Sequence, residues 1–219
     1  MRKGVLLIFL LLFLSGCGTF TLYQNILDTN FNLSSQNDIE MTAQIINSPF
    51  AMQLVEHRNT QSILVLSNVD NKSFSWVDSE NNILRTFEGK IISSFGLINN
   101  IEIINSPSIA KIFTKLRNTS TTRISNSSLI RFSTPKTNYL NLDLTYTFHS
   151  KKPSLYYKKI NKNPIMVWIM REDFFVQAIN WKGANYYWIS EDGKVVRSKQ
   201  FIAPNLDKFF LETIKEYKY

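Results

Sequence analysis

One cysteine, two histidines and two adjacent acidic pairs are the residues of this 219-residue chain from which chemistry would ordinarily be built. Cys17 stands at the end of an apolar run between Gly16 and Gly18. It admits three readings: a reactive thiol, a buried core residue, or the point at which the chain is cut and fastened to a membrane. His57 and His149 are far apart in the chain. His149 shares a strictly alternating stretch with Asp143, and at strand rise the two stand about 20 Å apart, too far to act as a pair. The acidic pairs are Glu172-Asp173 and Glu191-Asp192. A glycosidase needs two carboxylates about 5–9.5 Å apart across a cleft. Adjacent residues on a strand point to opposite faces, so neither pair is such a dyad, and Glu191-Asp192-Gly193-Lys194 reads as a hairpin turn. No H-E-x-x-H, C-x-x-C or G-x-S-x-G pattern is present. The residues therefore predict a protein that is not an enzyme and has no metal and no cofactor.

The segment before Cys17 decides how that thiol is read. Met1-Arg2-Lys3 is a short basic start, and Val5 to Leu14 is unbroken apolar sequence. A bilayer span takes roughly 20 apolar residues, so the run is too short to cross and suits the core of a secretory signal. Leu14-Ser15-Gly16-Cys17 resembles the lipobox of bacterial lipoproteins: small residues enter the peptidase groove, cleavage falls between Gly16 and Cys17, and the cysteine sulfur carries diacylglycerol, with palmitate as a further chain. One acyl chain holds a protein only reversibly, and two or three hold it in place. Gly18 stands where lipoproteins kept at the inner membrane of many enterobacteria have Asp, which points to the outer membrane. The predicted organisation is a signal peptide over 1–16, a lipidated tether over 17–36, and a single periplasmic domain over 37–219.

The whole chain carries a net charge of +8, of which Arg2 and Lys3 leave with the signal. The remaining basic residues are scattered, with Lys151-Lys152 and Lys158-Lys159 the tight pairs, and no arginine-rich stripe or nucleic-acid motif is present. A mildly basic surface is compatible with anionic lipid or acidic polysaccharide. Once Cys17 is lipidated no disulfide can form, so stability must come from the core that 44% hydrophobic content and sixteen phenylalanines can supply. Late in the chain lie Trp168, Phe174, Phe175, Trp181, Tyr186, Tyr187 and Trp188. Sugar rings stack on exposed aromatic faces, so Trp181, Tyr186, Tyr187 and Trp188 are candidate interface or glycan contacts. Because Tyr187 and Trp188 must face opposite sides of a strand, one of the two belongs to the core.

The elements that would position these residues are mostly strands. Asn37 with Glu40 resembles a capping box and predicts a short helix to about Ile46. From Pro49 to about Asn105 short β-branched and aromatic runs alternate with the turns Asp70-Asn71-Lys72, Glu80-Asn81-Asn82 and Glu88-Gly89, the grammar of a meander. "SPSIAKIFTKL" predicts a brief helix, with Ser106 or Ser108 as its cap. Leu140, Leu142, Leu144, Tyr146 and Phe148 mark a long half-buried strand. Turns are predicted at Trp181-Lys182-Gly183 and at Glu191–Lys194. Leu206, Phe209, Phe210, Thr213, Ile214 and Tyr217 fall on one helical face, with Asn205 as N-cap, so a C-terminal helix is predicted to plug a sheet edge or barrel end. The expected fold is mainly β: an antiparallel meander forming a sandwich or distorted barrel, with a short N-terminal helix and a C-terminal amphipathic helix.

Two stretches, residues 61–102 and 185–205, together with the lipobox, resemble the YjbF/GfcB family of capsule and exopolysaccharide lipoproteins. The matching residues are Trp76, Thr86-x-x-Gly89-basic, Ser94-x-Gly96-Leu97, Tyr187-Trp188, Gly193 and Ser198-x-Gln200. Lys90 stands where the family usually has arginine, and Ser106-Pro107 where Asp-Pro is frequent. The resemblance implies a Gram-negative outer-membrane lipoprotein facing the periplasm. It also implies a non-catalytic assembly component of polysaccharide production and export that works beside an outer-membrane β-barrel secretion protein. It brings no catalytic residues. The competing reading is a periplasmic binding module for acidic polysaccharide, or for lipid held in a barrel interior. A polysaccharide-modifying enzyme is the third.

Overall fold

The computed structural model describes residues 45, 47–58, 60–119, 122–159, 164–204 and 206–217. The strands are β1 (Met52–His57), β2 (Thr60–Asp70), β3 (Ser73–Val77), β4 (Ile83–Phe87), β5 (Lys90–Phe95), β6 (Asn100–Ile104), β7 (Ile124–Ser133), β8 (Asn138–Tyr157), β9 (Pro164–Val176), β10 (Trp181–Ser190), β11 (Val195–Gln200) and β12 (Phe209–Lys215). Each pairs antiparallel with its neighbours in sequence, and β12 pairs with β1, so the meander closes into a twelve-strand barrel. This overturns the sandwich. A sandwich would leave edge strands with unpaired backbone groups, whereas here the register Leu54↔Glu212, Val55↔Leu211 and His57↔Phe209 joins the two ends of the chain.

The closing strand is the segment expected to be a helix. Phe209 and Leu211 point inward to the core, while Phe210, Glu212 and Ile214 point outward, the period of a strand. Its outer face is also covered. The end of β8 and Lys159 just after it lie over it, placing the Tyr156 hydroxyl and the Lys159 N–H on the Glu212 carboxylate. Ile214 packs with Ile45 and Phe50 in a second apolar cluster on Met52, Leu54, Ile63 and Val65. A strand buried on both faces loses its polar alternation, and the apolar residues at 206, 209, 210 and 214 then mimic a helical stripe. Asn205 lies outside the described residues, as does the N-terminal helix predicted to 46 except for Ile45.

Of the described residues, one segment forms an α-helix: α1 (Ile109–Asn118), between β6 and β7. Ser108 caps it by accepting from the Lys111 N–H at 3.2 Å. Ile109, Ile112, Phe113 and Leu116 fall at i, i+3, i+4 and i+7 and are buried in the barrel core. The helix lies across one end of the barrel. At its start Glu88, in the β4–β5 turn, accepts from the Ser108 hydroxyl at 2.6 Å and the Ala110 N–H at 3.0 Å. At its finish Arg117 reaches Glu191 in the β10–β11 turn and lies over the Trp168 ring at 4.5 Å.

The turns at Asn71, Asn81, Glu88-Gly89 and Gly193 fall where expected, each with a left-handed residue. The turn expected at Trp181–Gly183 does not form. The chain reverses earlier, through Gln177–Ile179 and left-handed Asn180, and residues 181–190 are strand. Gly183 serves close packing instead: a Cβ there would come within 2.8 Å of the Phe174 ring and 2.9 Å of Phe201.

Candidate functional site

Period two sends alternate residues of each strand inside, and several of the inward side chains are polar. Lys90 at the start of β5 and Glu172 in β9 form an ion pair with side chains 1% and 0% exposed. Two such charges cannot be left unpaired away from water. Around Glu172 the Tyr187 hydroxyl donates to Oε2, and the Asn185 amide donates to the same atom at 3.4 Å. Lys90 Nζ sits 3.7 Å from the centre of the Tyr146 ring. Gln200 ties β11 to β5: its Nε2 donates to Gly89 O and Ser198 Oγ, and its Oε1 accepts the Ile91 N–H at 2.9 Å. Burial drives the Lys90 ammonium below its ordinary range, and the Glu172 carboxylate is the opposing influence. Burial, then the charge of Glu172, drive the hydroxyls of Tyr187 and Tyr146 upward.

Many of the residues that carried the family resemblance make polar contacts in or beside this core, while Trp188 faces outward and Gly193 sits in the β10–β11 turn. Trp76 Nε1 donates to Thr86 Oγ1 at 2.9 Å, Ser94 Oγ accepts the Ile101 N–H at 3.0 Å, and Gly89, Lys90, Tyr187, Ser198 and Gln200 belong to the network just described. That part of the motif is polar groups of the barrel core. The cavity beside Lys90, Tyr146 and Glu172 measures about 20 Å³, room for one water. Among the described residues, neither a sugar ring nor an acyl chain fits in this cavity.

Of the candidate contacts, Trp181 and Tyr187 face inward. Trp181 packs edge-on to Phe174 at 4.9 Å, and Tyr187 is fully buried. Trp188 faces outward but lies beneath the β8–β9 hairpin, 6.5 Å from Tyr156 and under Arg197. Tyr186 also faces outward, beside Arg171 on β9 and Lys199 on β11. Gly16 and Cys17 lie outside the described residues. Glu172 and Asp173 point to opposite faces, as strand geometry requires: Glu172 into the core, Asp173 onto the outer wall, where it pairs with Arg171 at 2.6 Å and His149 at 3.2 Å. His57 stacks on Phe209 at 4.2 Å.

That outer wall holds a groove of about 650 Å³ on β8, β9 and β10. The sequence showed its residues but not their assembly: Arg171, Phe175 and Lys182 join only through strand register. The alternation of β9 around Glu172-Asp173 was the available signal, since it assigns Arg171, Asp173 and Phe175 to one face.

These features define a closed antiparallel up-and-down barrel, filled by its own side chains and a capping helix, with its open surface on the outer wall. The family described as group 4 capsule polysaccharide lipoprotein GfcB, YjbF, matches residues 25–214, and the chain belongs to that family. The lipoprotein YmcC of Escherichia coli K12 has a similar structure, with a TM-score of 0.70 and 16% identity over 91% of this chain and 96% of that one. An exported protein with a YmcC-like fold from Bacteroides fragilis aligns over 77% of this chain and 95% of its own at a TM-score of 0.36 and 8% identity. A lipoprotein from Parabacteroides distasonis aligns over 76% and 93% at 0.31 and 8%. No curated protein matches the chain in sequence.

Proposed function

We propose that this protein is a non-catalytic accessory component of capsule or exopolysaccharide production and export, anchored through lipid on Cys17 to the outer membrane and facing the periplasm. The observation that carries the reading is membership of the capsule polysaccharide lipoprotein family over residues 25–214. The lipobox Leu14-Ser15-Gly16-Cys17 supports the anchor, and Gly18 in place of Asp supports the outer membrane. The filled barrel supports a role in contact rather than turnover: the buried titratable pair, Lys90 and Glu172, has no room beside it for a substrate larger than water. An outer-membrane β-barrel secretion protein is the expected partner.

Replacing Cys17 tests this directly. Cys17→Ala is expected to release the protein from the membrane fraction and to lower the polysaccharide secreted by the cell. Normal secretion by a stable, soluble Cys17→Ala protein overturns the role.

A further inference from the structure

The outer face of β8, β9 and β10 is laid out in three cross-strand rows. Thr145, Phe175 and Lys182 form the first; Thr147, Asp173 and Ala184 the second; His149, Arg171 and Tyr186 the third, which continues to Lys199 on β11 and Phe210 on β12. The middle row is low, because Ala184 and Thr147 are short. The outer rows stand on either side of it, about 13 Å apart along β9 at strand rise. The groove between them is therefore a consequence of residue size at consecutive outward positions.

Charge in the groove is one-sided. Arg171 and Lys182 line it, and Lys199 and Lys208 stand beside it. Asp173 is the acidic residue among them, and it is held by Arg171 and His149. Lys182, Lys199 and Lys208 make no ion pair among the described residues. Lys208 Nζ lies 5.3 Å from the Tyr186 ring centre and 4.6 Å from that of Phe201. Its ammonium is pushed down by burial and by the like charges of Lys199 and Arg171. An anion placed among these cations relieves that repulsion. The Phe175 ring, 38% exposed, and the Tyr186 ring supply apolar faces, and Thr145, Thr147 and Asn180 supply hydroxyl and amide groups. Cations, ring faces and short polar groups in one open groove match the chemistry of a sugar chain bearing carboxylates.

We propose that this groove binds an acidic oligosaccharide, with Arg171, Lys182, Lys199 and Lys208 on its carboxylates and Phe175 and Tyr186 against its rings; the proposal rests on the polysaccharide role above and assigns it a surface.

The test uses the lipidated full chain in mild detergent, titrated calorimetrically with tetragalacturonate and, separately, with neutral galactotetraose. Tetragalacturonate is expected to bind at least about tenfold more tightly. Ala184→Trp, which fills the groove floor from an outward position, and the pair Lys182→Glu/Lys208→Glu are each expected to weaken it by about tenfold or more. Lys111→Glu, on the exposed face of α1, is expected to leave it unchanged. Near-ultraviolet circular dichroism identical to the parent shows that a variant retains the fold. Equal affinity for the neutral sugar, or full binding by folded Ala184→Trp, overturns the groove. So does capture of phosphatidylglycerol nanodiscs at this face in place of tetragalacturonate. If wild type does not bind but Cys17→Ala still abolishes secretion, the groove falls and the export role stands. Binding as expected with normal secretion in Cys17→Ala leaves the groove and removes the role.

Discussion

Glu172→Gln separates the two halves of the buried ion pair with the smallest change of shape. The amide keeps an oxygen for the Tyr187 hydroxyl, but Lys90, 1% exposed, loses its counter-charge. Lys90 can then remain charged and unpaired, or release its proton. Release sets an upper limit on the cost. From an ordinary lysine value of about 10.4 down to pH 7 is about 3.4 units at about 1.36 kcal/mol each, so about 4.6 kcal/mol. Removing one partner of a buried pair costs about 3–5 kcal/mol, and the two figures agree. For a domain of this size that is a fall in Tm of roughly 6–20 °C. The pH dependence is more diagnostic. A neutral Lys90 in the folded variant against a charged one in the unfolded chain means the unfolded state binds one more proton. The variant's stability must then rise with pH by about 1.4 kcal/mol per unit between neutrality and about pH 10. In the parent, the Glu172 carboxylate opposes that loss of the proton. Urea unfolding from pH 7 to 10 measures both slopes. The pair Lys90→Met/Glu172→Gln removes the stranded charge and is expected to recover most of the loss. A Glu172→Gln protein within about 1 kcal/mol of the parent, with the same pH slope, refutes the view that Glu172 is what keeps Lys90 charged.

Two further perturbations address the ends of the barrel. Gly89→Ala forces a side chain onto φ +81° and brings a Cβ within 2.4 Å of the Val195 Cβ; strain and overpacking together are expected to cost about 2–4 kcal/mol, read as a lower urea midpoint at unchanged m. At Glu88, burial pulls the carboxyl upward, but the Ser108 hydroxyl, the Ala110 N–H and Lys72 outweigh it and hold the group below its ordinary value of 4.5. A depressed folded value stabilises above the unfolded pKa and is lost as pH falls through the folded one. The stability gap between the parent and Glu88→Gln, about 1–2 kcal/mol at pH 7, should therefore close as pH falls below about 4.5, and a gap unchanged at pH 3 would show that Glu88 does not anchor α1 by its charge.

Most strands of the meander were legible because one face of each is polar. In β8, Leu144, Tyr146 and Phe148 are buried between polar neighbours, as the alternation required, but Leu140, before left-handed Asn141, is 67% exposed, so the alternation holds only from Leu142 on. The capping helix was legible because Ser108 and four apolar residues at helical spacing agree. β12 was not, because Phe210 and Ile214 on its outer side are covered by chain far away in sequence, which erases the strand signal locally. Barrel closure was hidden for a related reason: it depends on pairing residues 52–57 with 209–215, and no local pattern reports a contact of that separation. The interior ion pair was illegible because a lysine and a glutamate at alternating positions read as solvent-facing until both strands are placed. Tyr186 was legible as a candidate contact, but Arg171, Phe175 and Lys208 beside it were not, since they meet it only across strands or through the β11–β12 connection.

Twelve strands enclose more space than eight, and an eight-strand barrel is already about as wide as side chains alone can fill. This barrel meets the excess with aromatic side chains, with α1 across one end, and with the β11–β12 connection, whose Ile202 and Ala203 are buried. Among the described residues, α1 and this connection occupy space that in other barrels opens to ligand at the mouth. The outer wall is not uniform. Over β10, β11 and β12, Tyr156 at the end of β8 covers Trp188, Arg197 and Glu212. Over β8, β9 and the first half of β10 the wall is open, and there the cations outnumber the carboxylates. The groove proposed above is the part of the wall that the end of β8 leaves uncovered. The same polar core that holds β5, β9, β10 and β11 together through Lys90, Glu172, Tyr187 and Gln200 keeps the backbone beneath the groove in register. Loosening of that core should be felt at Arg171, Asp173 and Tyr186, which are bonded neighbours, one or two residues along the same strands.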